Sequence, residues 1–337
     1  MWPRTDFLEL LGIAHPIVQA PMSGFTPPAL VAAVCNAGGL GSIGCVGRPS
    51  DLVREEVAAV RQATATARVQ TELAPYFDEF GLGPVADPSE PFPMFDDQGL
   101  DLILELRPRV VSFHFGLPEA TAVRRLKDAD CIILSSATTV TEARSLEANG
   151  ADVIIAQGFE AGGHRGSFSC LAGTGMVGAM ALVPQIVDAV RVPVIAAGGV
   201  ADGRAIAAAF ALGASGVQIG TAFLGCPEAA IPPLYRALLR TATDDATELT
   251  PSFTGRPARA LRNRFVIEMA DTEPLDFPLQ GSLVGPLWRL PDEEARAAFI
   301  PIWAGQAASL MRDLPAGQLI ETLVAEAQAI IWQKRQR

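Results

Sequence analysis

The sequence predicts an α/β fold of the (β/α)8 type, a TIM barrel carrying a smaller lid subdomain, and three observations predict it. Eight short apolar runs recur along the 337 residues, each followed by a segment of helical length, which is the sequence form of parallel β/α units. Glycines and polar residues gather where these runs end, the face on which barrel enzymes keep their sites. Two long excursions leave from the same face, after the third and the eighth run.

The eight candidate strands are 17–20, 40–43, 69–73, 110–113, 131–134, 153–156, 194–197 and 216–219. Between them, Leu52, Val53, Val57 and Val60 fall at helical spacing in 51–62, and 141–149 reads as a helix that stops at Gly150. Segment 75–97 holds Pro75, Pro84, Pro88, Pro91 and Pro93 with Gly81 and Gly83, so it reads as an extended excursion rather than a barrel helix. Segment 226–315 is far longer than one closing helix requires; it contains a helical stretch at 234–241, a proline-punctuated loop and a further helix from Asp292. The division expected is a barrel of 1–74, 107–226 and 315–337 and a lid of 75–106 and 227–314, with the last helix, 318–332, packed back on the barrel.

Composition narrows the function classes. A hydrophobic share of 49% supplies a large core, and a formal charge of −11 repels nucleic acid and anionic membrane surfaces, leaving a small molecule as the expected partner. Cys35, Cys45, Cys131, Cys170 and Cys226 are widely spaced and form no C-x-x-C pair, so neither a metal site nor a disulfide framework is expected and a reducing, cytoplasmic setting is. The first thirteen residues carry acidic side chains and lack the apolar core of a secretory signal. Segment 205–224 has no charge over twenty residues, yet its glycines and the change from alanine-rich to V-Q-I read as buried helix, turn and strand rather than a membrane span.

In such barrels the loops after strands seven and eight bind phosphate. Here those strands end in Ala197-Gly198-Gly199 and in Gln218-Ile219-Gly220-Thr221, where backbone N–H groups can approach an anion closely and a helix N-terminus behind them favours negative charge. The loop after strand six reads A-Q-G-F-E-A-G-G-H-R-G; Gly162 and Gly163 let the chain pass close to a flat ligand, and His164 can take or give a proton near neutral pH. His114, after strand four, lies on the same face, with a substrate contact and a structural role equally open. His15 lies at the opposite end and is assigned no function. The turn at Ala20, Pro21 and Met22 can present backbone groups to a ring edge. No G-x-S-x-G, H-E-x-x-H, P-loop lysine or strand-to-helix G-x-G-x-x-G occurs.

Q-A-P-M at 19–22, A-Q-G-F-E-A-G-G-H-R-G at 156–166, P-V-I-A-A-G-G-V-A-D-G at 193–203 and V-Q-I-G-T at 217–221 together resemble the nitronate monooxygenase family, formerly called 2-nitropropane dioxygenases. The likeness runs over 13–226 and resumes at W-A-G-Q, 303–306. It implies FMN held by the backbone at Ala20 to Met22, by Gln157 and by Gly162 with Gly163, its phosphate at Gly198, Gly199 and Gln218 to Thr221, including Ile219 and Gly220. It implies His164 as the catalytic histidine and His114 as a residue that places the substrate. The implied reaction is oxidation of an alkyl nitronate or nitroalkane by way of the flavin and O2, giving a carbonyl compound and nitrite; a homodimer is compatible with it.

Two departures stand out. Glu72 occupies the family's usual asparagine position, so either Gln70 bonds the flavin instead or the flavin is tuned differently. F-P-L-Q-G at 277–281 replaces polar residues of the lid, which favours a more apolar substrate. The alternatives are an NAD(P)H-dependent flavin reductase for quinones or enoyl thioesters and a flavin-free barrel lyase. The lyase is disfavoured because the lysines, Lys127 and Lys334, fall in no candidate strand.

Overall fold

The computed structural model describes residues 2–3, 5–22, 37–42, 58–89, 95–169 and 174–333, with Leu30 and Val34 besides. Six strands form an all-parallel sheet: β1 (Ile17–Gln19), β2 (Val110–Phe113), β3 (Ile132–Ala137), β4 (Val153–Gln157), β6 (Val194–Ala197) and β7 (Gly216–Ile219). Their order is β1-β7-β6-β4-β3-β2. The first strand therefore lies beside the last, with Val18 opposite Gln218, and the sheet curls into a TIM-barrel-like wall. Three further strands, β5 (Gly163–His164), β8 (Thr247–Thr250) and β9 (Ala258–Leu261), make an antiparallel sheet in the order β5-β9-β8.

Alternation along the strands explains why they hold. Val18, Leu134, Val153, Ile155, Ile195 and Ala197 point to one cluster with Phe7 and Leu11. Their neighbours Ile17, Ile154, Ala156, Val194, Ala196 and Val217 point to another, shared with the flanking helices. Along β4 and β6 every residue is buried, as the centre of a parallel sheet requires. Phe7, on the helix Asp6–Leu11, closes the barrel floor: a Cβ at Gly216 would sit 2.7 Å from its ring.

Two of the expected strands need correction. Segment 69–73 is part of a helix, Ala58–Glu79. Val69, Leu73, Tyr76 and Phe77 recur at helical spacing and are all buried in a cluster with Phe253, Phe265 and Phe299, so burial on one side won over the short apolar run, and Pro75 is carried inside the helix. The boundary drawn at 74/75 falls within it. Of 40–43, Leu40 makes a single parallel bridge to Val18, and Ile43 lies outside the described residues, as does most of the 51–62 helix.

Elsewhere local signals match the elements. The helix Val140–Ala148 is capped by Thr139 and followed by Gly150 at φ +102°. Segment 205–224 resolves into the helix Gly203–Ala211, a turn at Gly213, β7 and a 3-10 turn. Among the described residues no helix is long and apolar enough to cross a membrane. The last helix, Ala316–Gln333, lies on Gly203–Ala211, where Glu326 accepts the Gly203 N–H at 3.0 Å. The helix Asp97–Leu106 packs on the barrel side, its Leu100 clustering with Val111, Val123 and Leu126.

Candidate active site

The loop between β4 and β5 is held in shape by its own polar groups. The Gln157 amide donates to the His164 carbonyl at 3.0 Å and accepts the Gly166 N–H at 2.7 Å. Arg165, fully buried, donates to the carbonyls of Gln157, Gly158 and Gly175. Glu160 accepts the Ala179 N–H at the start of the next helix. Gly162 meets the 304–305 backbone, where a Cβ would lie 2.5 Å from the Gly305 nitrogen; the adjoining Gly163, at φ +71°, has open space within 4 Å of its Cβ position.

His164 thereby points into an aromatic chamber. Phe115, Phe277 and Trp303 have ring centroids 5.9, 5.5 and 5.4 Å from its own. Its Nε2 lies 2.8 Å from Thr254 Oγ1, and that hydroxyl donates onward to the Arg256 carbonyl at 3.3 Å. A hydroxyl already donating can only accept from the ring, so Nε2 carries the proton and Nδ1 presents its lone pair. Burial, with the charges of His114 and Arg256, holds the imidazole neutral, its pKa lowered to about 3.

His114 stands behind it. Its Nε2 donates to the His164 carbonyl at 3.1 Å and its Nδ1 accepts from Ser136 Oγ at 3.1 Å. Both ring nitrogens are thus taken by protein groups, and burial lowers its pKa to about 4.

On the same face, beside β4, the strands β6 and β7 are adjacent and their terminal loops carry Gly198 and Gly199 at φ +96° and +73°. Among the described residues no acceptor is found for the N–H groups of Gly199, Gly220 and Thr221, and Gln218 Oε1 is buried without a partner. The helix end behind them differs from expectation. Asp202 accepts from Arg204 N and Ala205 N, and Glu326 takes Gly203 N, so carboxylates already meet the positive end of that helix and anion-binding capacity rests with the loops. Ala20 and Met22 flank this place, 3.2 and 3.7 Å from a Cβ built on Gly220, and the Ala20 N–H bonds the Ile219 carbonyl. Pro21 lies between them.

Gln70 goes elsewhere. Its amide donates to Ala86 O and Asp87 Oδ1 from the helix that replaced the expected strand, and Glu72 sits on that helix with Oε2 buried and unpartnered.

Thr254 and Arg256 carried no sequence signal. They reach His164 because β9 pairs with β5, placing Ala258 opposite His164. Gly255, at φ +86°, makes the turn, packed on the backbone of Leu275 and Phe277.

A family model for nitronate monooxygenase matches residues 4–326. The nitronate monooxygenase of Paraburkholderia phytofirmans is 42% identical over 99% of this chain and 98% of its own length. The chain belongs to the nitronate monooxygenase family. It is an enzyme, an oxidoreductase of TIM-barrel-like fold. The nitronate monooxygenase of Pseudomonas aeruginosa is likewise 42% identical, over 95% of this chain and 98% of its own. Among solved structures, nitroalkane oxidase from Streptomyces ansochromogenes is similar with a TM-score of 0.84 and 36% identity, covering 98% of this chain and 99% of that one. FabK from Thermotoga maritima is similar with a TM-score of 0.73 and 31% identity, covering 99% of each.

Proposed function

We propose that this family member is an FMN-dependent nitronate monooxygenase acting in the cytoplasm, which uses O2 to convert alkyl nitronates and nitroalkanes to carbonyl compounds and nitrite. The observation that carries the proposal is the His164 side chain, neutral, with Nε2 bonded to Thr254 and the ring set among three aromatic side chains. The residues present fit FMN. The N–H groups of Gly199, Gly220 and Thr221, unpaired among the described residues, suit a phosphate, Gln218 Oε1 asks for a donor, and Gly163 opens space beside His164 for a flat ring. Ala20 to Met22, Gly162, Gly198 and Ile219 complete the walls in this reading. When bound, FMN supplies the electron acceptor and the means of reaction with O2.

The chain's own part is positioning and proton transfer. For a neutral nitroalkane, the α-proton passes to His164 Nδ1 and the C–H electron pair moves to the nitro group, giving the nitronate. Such general-base steps contribute about 10²–10⁴-fold. Thr254 fixes the tautomer, while His114 and Gln157 act as positioning residues through the His164 carbonyl. The stretch 227–314 acts as the lid, closing the chamber with Phe277 and Trp303.

The alternative of an NAD(P)H-dependent flavin reductase is tested in parallel. Purified protein with FMN is mixed anaerobically with ethyl nitronate in one cuvette and NADH in another. Bleaching of the flavin by the nitronate, and nitrite release on admitting air, is the expected result; bleaching by NADH alone at a catalytic rate overturns it. His164→Ala is expected to keep its flavin and lose about 10²–10⁴-fold in nitroethane turnover. Unchanged turnover rejects the base assignment.

A further inference from the structure

Arg256 is half-buried, whereas Arg165 and Arg259 are fully buried, Arg259 leaving Nη2 without a hydrogen-bond partner among the described residues. Arg165 spends its guanidinium on three carbonyls, and Arg259 donates to Phe159 and Thr247 while lying near the carboxylates of Glu160 and Glu248. Among the described residues Arg256 makes one side-chain hydrogen bond, from Nη2 to the Ser167 carbonyl at 3.0 Å. Its Nε and Nη1 find no protein acceptor among the described residues, and no carboxylate forms an ion pair with it there. Its Cζ lies 3.9 Å over the Phe115 ring and 6.0 Å from the Phe277 centroid, the same two rings that flank His164. The guanidinium is half-buried, close enough to both histidines to depress their basicity, and desolvation lowers its own pKa with only Glu142 acting against this. A partly desolvated cation with no counter-ion among the described residues leaves its free N–H groups available to an anion.

We propose that Arg256 is the substrate-binding residue that receives the two oxygens of the nitronate, with Phe115 and Phe277 around the alkyl carbons beside His164. This rests on the proposed nitronate reaction and deepens it. A nitronate is planar and anionic with paired oxygens, the geometry a guanidinium fork matches. The same contact accounts for a base of low basicity: when a nitroalkane gives its proton to Nδ1, negative charge grows on the nitro oxygens beside Arg256 while the imidazolium forms. The apolar character read from 277–281 then describes the tail of the substrate, and the charge is met by a residue outside that motif.

The test compares wild type with Arg256→Gln and Arg256→Lys, using ethyl nitronate, nitroethane, and the unreactive pair propionate and propionamide as competitive inhibitors; flavin content and thermal melting are measured alongside. In Arg256→Gln the KM for ethyl nitronate and the Ki of propionate are expected to rise about 10- to 100-fold, the worth of a charged hydrogen-bonded pair. The KM for nitroethane and the Ki of propionamide should stay within about twofold, while kcat for nitroethane falls, because only there does charge develop. Parallel loss on anionic and neutral ligands, or no loss on either, overturns the assignment. Should Arg256→Gln not fold, Arg256→Lys decides: it keeps the charge without the fork, and a rise confined to the anions supports the proposal whereas an equal rise for propionamide rejects it. A wild-type enzyme inert toward ethyl nitronate sinks the proposed function; one that releases nitrite, with propionate binding indifferent to residue 256, sinks this inference alone.

Discussion

The two nitrogens of His164 have unequal surroundings, and that inequality is set by one hydroxyl. Thr254 Oγ1 accepts Nε2–H at 2.8 Å and passes its own hydrogen to the Arg256 carbonyl. Thr254→Val keeps the shape and removes the acceptor, leaving Nε2–H unsatisfied and the ring free to turn or to switch tautomer. The expected outcome is a fall of about 10- to 100-fold in kcat/KM for nitroethane, a part of the general-base contribution. Turnover of ethyl nitronate, which arrives deprotonated, should stay within about threefold, and Thr254→Ser should restore the nitroethane rate. Equal losses on both substrates would mean that Thr254 merely supports the loop. Nothing near residue 254 in the sequence marks it: a threonine in T-G-R gains this role only when another strand brings the imidazole to it.

Elements meet at this site through glycines that leave no room for a side chain. The turn carrying Thr254 and Arg256 depends on Gly255, whose φ is +86° and whose Cβ position collides with the Leu275 carbonyl oxygen. Gly81 offers a control, with φ +62° and nothing within 4 Å of its Cβ position. Gly81→Ala should cost about 1–2 kcal/mol, the penalty of left-handed backbone alone. Gly255→Ala should cost visibly more in urea denaturation and lower nitroethane turnover as well, since it displaces both neighbours. Equal destabilisation by the two would show that the turn relaxes without effect. The same reasoning explains Gly162: its sequence position suggested close approach to a ligand, and the structure finds close approach to the 304–305 backbone.

For the molecule as a whole, its neutral buried histidines make stability depend on pH. His114 and His164 titrate at about 4 and about 3 in the folded chain, against an ordinary value of 6.5 in the unfolded one. Between those limits the unfolded state binds more protons, so their contribution is complete above pH 6.5 and is lost as pH falls toward 4 and 3. Below the ordinary carboxylate range, Glu142 and Glu326, whose pKa values are lowered by hydrogen bonds, add to the loss. The urea midpoint should therefore drop steadily from pH 7 to 4.5, and less steeply in His164→Ala. A midpoint indifferent to pH over that window would show that the imidazoles are charged at low pH without penalty.

The sequence by itself determined the barrel wall, because buried parallel strands write their burial as unbroken apolar runs; it also marked the glycine-ended loops of β6 and β7 and the loop bearing His164. It misread 69–73, where five residues fit either period and the neighbours Tyr76 and Phe77 decided for a helix by packing against Phe265 and Phe299. Only the tertiary structure decided what surrounds the imidazole. Thr254, Arg256, Phe277 and Trp303 stand 90 or more positions away along the chain, and antiparallel pairing of β5 with β9, a contact of backbone groups, brings that stretch to His164. Backbone pairing across such a span leaves no period or spacing in the sequence to read, whereas a run of valines and isoleucines does.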